Sequence, residues 1–440
     1  MRKKTWKASE DVLSLFQSVG RASLLYDIQD SHSGNMAMRY RDESGNDWIV
    51  ITATGSQKGD LSAGDICFLS PDETDFGYYK ASSESDIHAR ILALDGVGAS
   101  IHAHTKDLTI VTLDDAAKPN RPALFVPVDP LGYYHLGSVV PVDWVAVPSG
   151  SAEMARIIPS RLAGHPATVV QTHGTFAKGR TLQEAFFRIC IANNAGCVVR
   201  LLRQLKVDIE GLRERIRAAP EEAFSYPPSP YTSGDDDIRD FPEETEILRE
   251  FSRAGSRIFE SRLSPFHSGS MSVRGVESML YAAKASMPRE IGGPLRRVTL
   301  EIEDADLPEL WTHKMIYAES DFQTVIHCYV PEAEAQAHFI YPGEEEPLDR
   351  IVPIDAEGSF IHLVIPVAPP RISISDLVRL LHDYKMVVVR GGGVWAVGAQ
   401  SLSEALHHPS SLREICLYRI GAFEQGLDLR KMEPQKAKMW

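Results

Sequence analysis

His102 and His104 stand two residues apart in Ala-Ser-Ile-His-Ala-His-Thr, alternating with Ile101 and Ala103 as in a half-buried strand. Side chains two apart on a strand share a face, so both imidazoles can reach one ion. A polar strand face with two surface histidines has the same pattern. His173 ends the apolar run Val-Val-Gln-Thr-His at a glycine, where the chain can turn and present the ring or simply satisfy a strand end. Glu84 follows two serines at the start of a stretch with Ile87, Ile91 and Leu94 on one face. A carboxylate there also complements a helix N-terminus. If the three imidazoles and the carboxylate converge, they make a mononuclear zinc site with an exchangeable position, as catalytic zinc requires.

The elements that must position these groups occur twice. Phe16–Arg39 aligns without a gap on Phe251–Arg274, so that His32-Ser-Gly recurs as His267-Ser-Gly and Arg39 as Arg274. Ser100–His104 matches Val325–Tyr329, and Gly174–Gly179 matches Gly393–Gly398. Each copy opens on an amphipathic helix, with Val12, Leu13, Phe16 and Val19 on one face in the first, then passes into short Val- and Ile-rich strands broken by Gly, Pro and Asp. Strands interspersed with helices indicate α/β layering. Ser83-x-x-Asp86 and Thr181-x-x-Glu184 have the spacing of capping boxes. The expected division is a first domain over 1–217, a Pro-, Asp- and Ser-rich linker over 218–242, and a second domain over 243–440.

At 440 residues the chain exceeds what one core usually holds, which agrees with two domains. Its formal net charge of −14 argues against a nucleic-acid or anionic-membrane surface, since both need clustered Lys and Arg. No stretch reads as a membrane span and the basic N-terminus lacks the apolar run of a signal peptide. The 5 cysteines are odd in number and form no Cys-x-x-Cys pair, so a reducing cytoplasm is expected. Cys190 and Cys197 read as core thiols.

His32-Ser-Gly-Asn-Met-Ala-Met-Arg, Thr52-Ala-Thr-Gly-Ser, Ser82-Ser-Glu-Ser-Asp-Ile-His, His102-Ala-His and Thr172-His-Gly, in this order and at these spacings, resemble the class II aldolase/adducin family. The resemblance implies an α/β/α sandwich around a mostly antiparallel sheet, with a divalent metal on His102, His104 and His173. It makes Glu84 the catalytic acid/base. Zinc is the expected ion, with Mn2+, Co2+ or Fe2+ as alternatives. Gly34 and Asn35, Thr54 and Gly55, and Ser82 and Ser83 match the family's phosphate-binding loops; backbone N–H groups in Gly turns, hydroxyls and a helix start suit a dianion. As ordinary turn glycines and a helix cap they would need no ligand. Lys58 is placed either to neutralise phosphate or as a solvated loop lysine. Tyr133, Tyr134 and His135 lie where the family often places a tyrosine near a neighbouring subunit's site, so one tyrosine is a candidate second proton donor. His88, Arg90 and Arg39 are expected to be structural.

The implied reaction is reversible aldol cleavage of a small phosphorylated sugar, with the cation stabilising the enediolate as a Lewis acid. Dehydration, decarboxylation and epimerisation can use the same site, and adducin-like heads are interaction modules without chemistry. The phrase Thr-Ala-Thr-Gly-Ser-Gln-Lys-Gly-Asp-Leu also resembles the methylthioribulose-phosphate dehydratase branch. In the second copy His102 corresponds to His327, but His104 to Tyr329, His173 to Gly392 and Asn35 to Ser270. Ser-Ser-Glu is expected to have no counterpart there, because Glu319 is too close to His327. The second half therefore reads as a degenerate copy, and family members' fourfold rings suggest a homo-oligomer, here a pseudo-fourfold dimer of two-domain chains.

Overall fold

The computed structural model describes residues 9–30, 32–70, 75–114, 123–231, 245–291 and 295–437. The chain forms two compact units, Met1–Pro127 with Leu131–Gly196, and Val128–Pro130 with Cys197–Trp440. Among the described residues the first unit holds a nine-stranded sheet. From edge to edge its strands are Asp75–Phe76, Ile66–Leu69, Asp47–Thr52, Asn35–Arg41, Ala99–Ala103, Gly174–Gly179, Ala167–Val170, Val140–Asp143 and Ala123–Phe125. Neighbours are antiparallel except Val140–Asp143 with Ala167–Val170.

Among the described residues the second unit repeats this order in eight strands: Arg296–Thr299, Ser278–Ala282, Ser270–Arg274, Thr324–Cys328, Gly393–Gly398, Met386–Val389, Ile365–Ala368 and Arg350–Ile351. The registers also coincide. Asn35 faces His102 across one pair of strands and Ser270 faces His327 across its equivalent. Both units are thus α/β folds of the expected mostly antiparallel kind.

Helices cover the sheets because the strands carry apolar side chains on both faces. The central strand Ala99–Ala103 is buried throughout rather than half-buried, so His102 lies in the interior instead of on an open sheet face. Helices Ser85–Leu92 and Ala152–Gly164 close one face of the first unit, packing Ile87, Ile91, Met154, Ile158 and Leu162 onto Ala37, Ile51, Val170 and Phe176. Each such side chain contributes about 1.5–3 kcal/mol on burial. Helix Glu10–Leu25 starts at Ser9, whose hydroxyl accepts from Val12 N, and buries Val12, Phe16 and Val19. Each unit is thereby anchored by local signals and by its core.

Local expectations are refined at several points. Ser83 and Asp86 form no capping box: the helix begins at Ser85, and Ser82 Oγ accepts from Glu84 N instead. At Thr181 the hydroxyl caps Glu184 N, while Glu184 reaches back to Arg180 N. Helix Leu182–Gln204 is, by length and composition, long and apolar enough to cross a membrane, but 83% of that stretch is buried inside the protein, as befits a core helix. Of the expected linker, residues 232–242 lie outside the described residues. Pro220–Ala223 forms a short helix, and Phe224 is buried in the second unit.

Candidate active site

Three imidazoles converge. The ligand-capable nitrogens of His102, His104 and His173 lie within 4.8 Å of one another. The His102 and His173 rings stack at 4.4 Å, and His104 stands 5.1 and 5.2 Å from them. His102 lies next to the end of its strand, and His104 follows on the same side, as alternation requires. His173 arrives by a strained turn: Thr172 has φ of 61°, uncommon for a β-branched residue and characteristic of functional loops. Gly174 is needed next, since a Cβ there would sit 2.4 Å from Ala103 O and 3.0 Å from His102 Cε1.

The tautomer of His102 follows from its partner. Its Nδ1–H donates to Thr175 O at 3.2 Å, leaving Nε2 as a lone pair, and that buried atom has no hydrogen-bond partner. Metal-bound histidines show this arrangement, with the far nitrogen tied to a carbonyl. Burial, reinforced by the neighbouring imidazoles and opposed by Glu84, holds His102 well below the usual histidine range. Burial and His173 push His104 the same way, against Asp30 and Glu84. Neutral His102 and His104 rings, with the His102 Nε2 lone pair bare, fit a divalent cation.

Glu84 is 3% exposed, at the N-terminal end of Ser85–Leu92. Its Oε1 lies 3.1 Å from His173 Nε2, while Oε2 accepts from Asn35 Nδ2 at 2.8 Å and lies 4.0 Å from His102 Nε2. Burial pushes its pKa up, but His102, His173 and Asn35 outweigh that and hold it well below the carboxylate range. The carboxylate is ionised beside the three rings.

Sequence reasoning missed the task of His88. It is fully buried one turn after Glu84, with Nε2 on Asn35 Oδ1 and Nδ1 2.6 Å from Ser100 Oγ. An amide oxygen only accepts, so His88 Nε2 carries the proton and fixes the Asn35 amide whose other end holds Glu84. The i, i+4 spacing of Glu84 and His88 was the available signal. Gln29 and Asp30 were missed too: Gln29 Nε2 donates to His102 O, and Asp30 Oδ1 accepts from His32 N and Ser33 N, shaping the His-Ser-Gly turn.

The other expected residues fall around this centre. Thr52 O accepts from Ser82 N, Lys80 O from Thr54 N, and Ala81 O from Thr54 Oγ1, so the Thr54–Gly55 and Ser82–Ser83 segments are hydrogen-bonded neighbours. Asn35 and Ser82 are buried, whereas Thr54, Gly55 and Ser83 are more open; Gly34 packs against His102 O. Lys58 is not a solvated loop lysine. It is 1% exposed and donates to His32 O, Ser56 O and Ser56 Oγ, and burial lowers its pKa to about 8. Tyr133 and Tyr134 lie half-buried on helix Pro130–Leu136, their rings edge-on at 5.3 Å. Arg39 donates to Leu92 O at the end of helix Ser85–Leu92, and Arg274 to Ser320 O just beyond helix Pro308–Ala318.

The second copy overturns one expectation. Glu84 does have a counterpart: Glu309, 18 residues before His327, on helix Pro308–Ala318. Glu84 and His102 have the same separation, and His313 stands where His88 does. Ser270 Oγ donates to Glu309 and meets His313 Nε2 at 2.8 Å, in the role of Asn35. Trp395 stacks on His327 as Phe176 stacks on His102, both at 4.2 Å. The carboxylate was obscured because Pro308-Glu309 replaces the Ser-Ser-Glu signature.

Comparison with known proteins covers both copies. The family profile described as Class II Aldolase and Adducin N-terminal domain matches residues 15–196 and again 249–420. A 5-methylthioribulose-1-phosphate/5-deoxyribulose-1-phosphate aldolase of Rhodospirillum rubrum is 32% identical over 154 residues, which is 35% of this chain and 64% of that relative, just under two thirds of its length. Similar solved structures include an L-fuculose-1-phosphate aldolase from Thermus thermophilus, 22% identical, covering 45% of this chain and 97% of that one with a TM-score of 0.39. A sugar-phosphate aldolase from Thermotoga maritima is 21% identical over 44% of this chain and 95% of its own, with a TM-score of 0.37. With the profile matching twice and together spanning most of this chain, the chain belongs to the class II aldolase and adducin N-terminal domain family.

Proposed function

We propose that the first half, residues 1–217, is a divalent-metal-dependent lyase that reversibly cleaves a carbon–carbon bond in a small phosphorylated ketose, with His102, His104 and His173 holding zinc or a similar ion. The observation that carries this reading is the convergence of three imidazoles beside a buried ionised carboxylate, with His102 Nε2 lacking any protein hydrogen-bond partner. A bound divalent cation would supply Lewis acidity toward the oxygens of a carbonyl and its adjacent hydroxyl. Asn35 holds Glu84 Oε2 and His173 Nε2 lies beside Oε1, and the carboxylate so oriented exchanges the proton at the nucleophilic carbon. A carboxylate is a weak base for a carbon acid, and its fixed position supplies much of its effect. Gly34, Asn35, Thr54, Gly55, Ser82 and Ser83 receive the phosphate, the buried Lys58 charge lies beneath that turn, and Tyr133 or Tyr134 is the second proton donor. Family membership and the Rhodospirillum rubrum relative, a 5-methylthioribulose-1-phosphate/5-deoxyribulose-1-phosphate aldolase, support the substrate class.

Metal analysis of the wild type and of His102→Ala and His173→Ala, followed by a ketose-phosphate screen with products identified by mass spectrometry, tests the reading. Expected are about one ion per chain, its loss in both variants, and an aldehyde plus a ketone phosphate from the true substrate. Full metal retention in the variants overturns the ligand set. We read the second half as a copy without metal and the assembled protein as a pseudo-fourfold dimer, which light scattering checks; a monomer contradicts it. The free thiols, four of them buried, support a reducing compartment.

A further inference from the structure

We propose that the second unit's copy of the cleft is a binding site for the chain's own segment Phe224–Tyr231, and that a protonated His327 stands there in place of a cation. The inference rests on the equivalence of the two clefts, which the shared register establishes, and on the reading of the first as the active one.

His327 has an acceptor at each ring nitrogen. Nδ1 lies 2.6 Å from Glu309 Oε1 and Nε2 lies 2.9 Å from Gly392 O, with both side chains inaccessible to solvent. A backbone carbonyl only accepts, and so does an ionised carboxylate, so both nitrogens carry hydrogen and the ring is an imidazolium. Burial alone would raise the pKa of Glu309; His327, Ser229 and Ser270 outweigh it and hold it at about 2. The other groups around the pair are His313 on the helix of Glu309, Tyr329 just beyond the strand of His327, Tyr281 on the next strand but one, and Tyr226 on the segment. Burial keeps the three phenols protonated and His313 neutral, so none competes for the charge. In the first copy His102 turns one nitrogen to a carbonyl and leaves the other bare. Here both are taken.

The segment fills the space that the exchanged residues vacate. Gly392 stands where the first copy has His173, and a Cβ there would lie 2.1 Å from Ser225 Oγ. The exchange that removes a ligand also makes room for the chain. Ser225 N donates to Gly391 O at 3.1 Å, Phe224 is 2% exposed, and Ser229 Oγ donates to Glu309 Oε2 at 2.6 Å. Tyr226 lies 6.3 Å from the His327 ring. Tyr231 stacks at 4.3 Å on His267, the counterpart of His32, and Lys284 Nζ lies 5.6 Å from its ring centre. A peptide bearing hydroxyls and rings thus meets the carboxylate, the central imidazole and the His-Ser-Gly turn together.

Two readouts on the full-length chain test this, and neither needs turnover, so failure of the lyase reading leaves them standing. The first is native chymotrypsin cleavage after Phe224 and Tyr231 in wild type, Ser229→Ala and Ser229→Asp. A carboxylate at 229 faces Glu309 and should eject the segment, giving cleavage at least tenfold faster than wild type, with Ser229→Ala in between. Wild type cut as fast as Ser229→Asp, or Ser229→Asp no faster than Ser229→Ala, overturns the seating of the segment. The second is ring-nitrogen NMR of histidine-labelled protein, with His327 assigned from His327→Gln. Protons on both nitrogens at pH 7.5 are expected, and a neutral ring there overturns the imidazolium.

Discussion

Replacing His88 by leucine should damage both stability and turnover, and the sizes of the two losses follow from its contacts. The ring is fully buried and bonded at both nitrogens, to Ser100 Oγ and to Asn35 Oδ1. Burial pushes its pKa down to about 4, so the lost ring is neutral and no buried charge disappears with it. Leucine fills much of the volume but leaves the Ser100 hydroxyl and the Asn35 oxygen without partners. Each orphaned buried group costs about 1–3 kcal/mol, so the loss is ~2–6 kcal/mol, a large share of the 5–15 kcal/mol typical of domains. Asn35 also loses the bond that fixes its amide, and with it the orientation of Glu84 Oε2. Removing an outer partner of a metal or catalytic group costs roughly 10–100-fold, so kcat should fall by that factor while metal content and KM change little. Urea unfolding, metal analysis and steady-state kinetics with the identified ketose phosphate measure these together. His88→Gln, which restores an N–H donor, should recover part of kcat. A His88→Leu protein that is destabilised as expected yet keeps kcat within about threefold of wild type would refute the positioning argument.

Glu84→Gln keeps an acceptor for Asn35 but cannot take a proton, so metal and phosphate binding should persist while turnover falls about 100-fold or more; near-normal turnover would make the carboxylate structural. Gly174→Ala must open the contact with Ala103 O, and a loss of about 1–3 kcal/mol in chemical unfolding, with weakened metal retention, is expected. Lys58 gives a pH signature. Its folded pKa of about 8 lies below the ordinary lysine value of 10.5, so the folded state binds fewer protons between them and wild-type stability rises with pH across that window. Relative to Lys58→Met, wild type should gain ~3 kcal/mol from below pH 8 to above 10.5, at about 1.36 kcal/mol per unit; a pH-independent difference would show that the ammonium is not buried.

What the linear chain determined here is local or periodic. Alternation put His102 and His104 on one side of a strand, the His-Gly step marked a turn, and self-alignment exposed two copies of one fold; each depends only on neighbours or on repetition. The family resemblance gave Glu84 its acid/base role. Tertiary structure decided what requires distant residues to meet. The chain left Lys58 open between a phosphate neutraliser and a solvated loop lysine, because nothing within its own segment shows that its ammonium lies against His32 O, 26 residues earlier. His88 looked structural because its task is performed on Asn35, a strand residue 53 positions away. Glu309 was overlooked because its flanking serines are gone, yet packing keeps it 2.6 Å from His327. The stretch before the second copy reads as a linker from its prolines and serines, and only folding shows Ser229 on Glu309 and Ser225 against Gly392. Composition reports how freely a segment can be solvated. Whether it is solvated depends on whether a cleft elsewhere has lost the side chains that would exclude it.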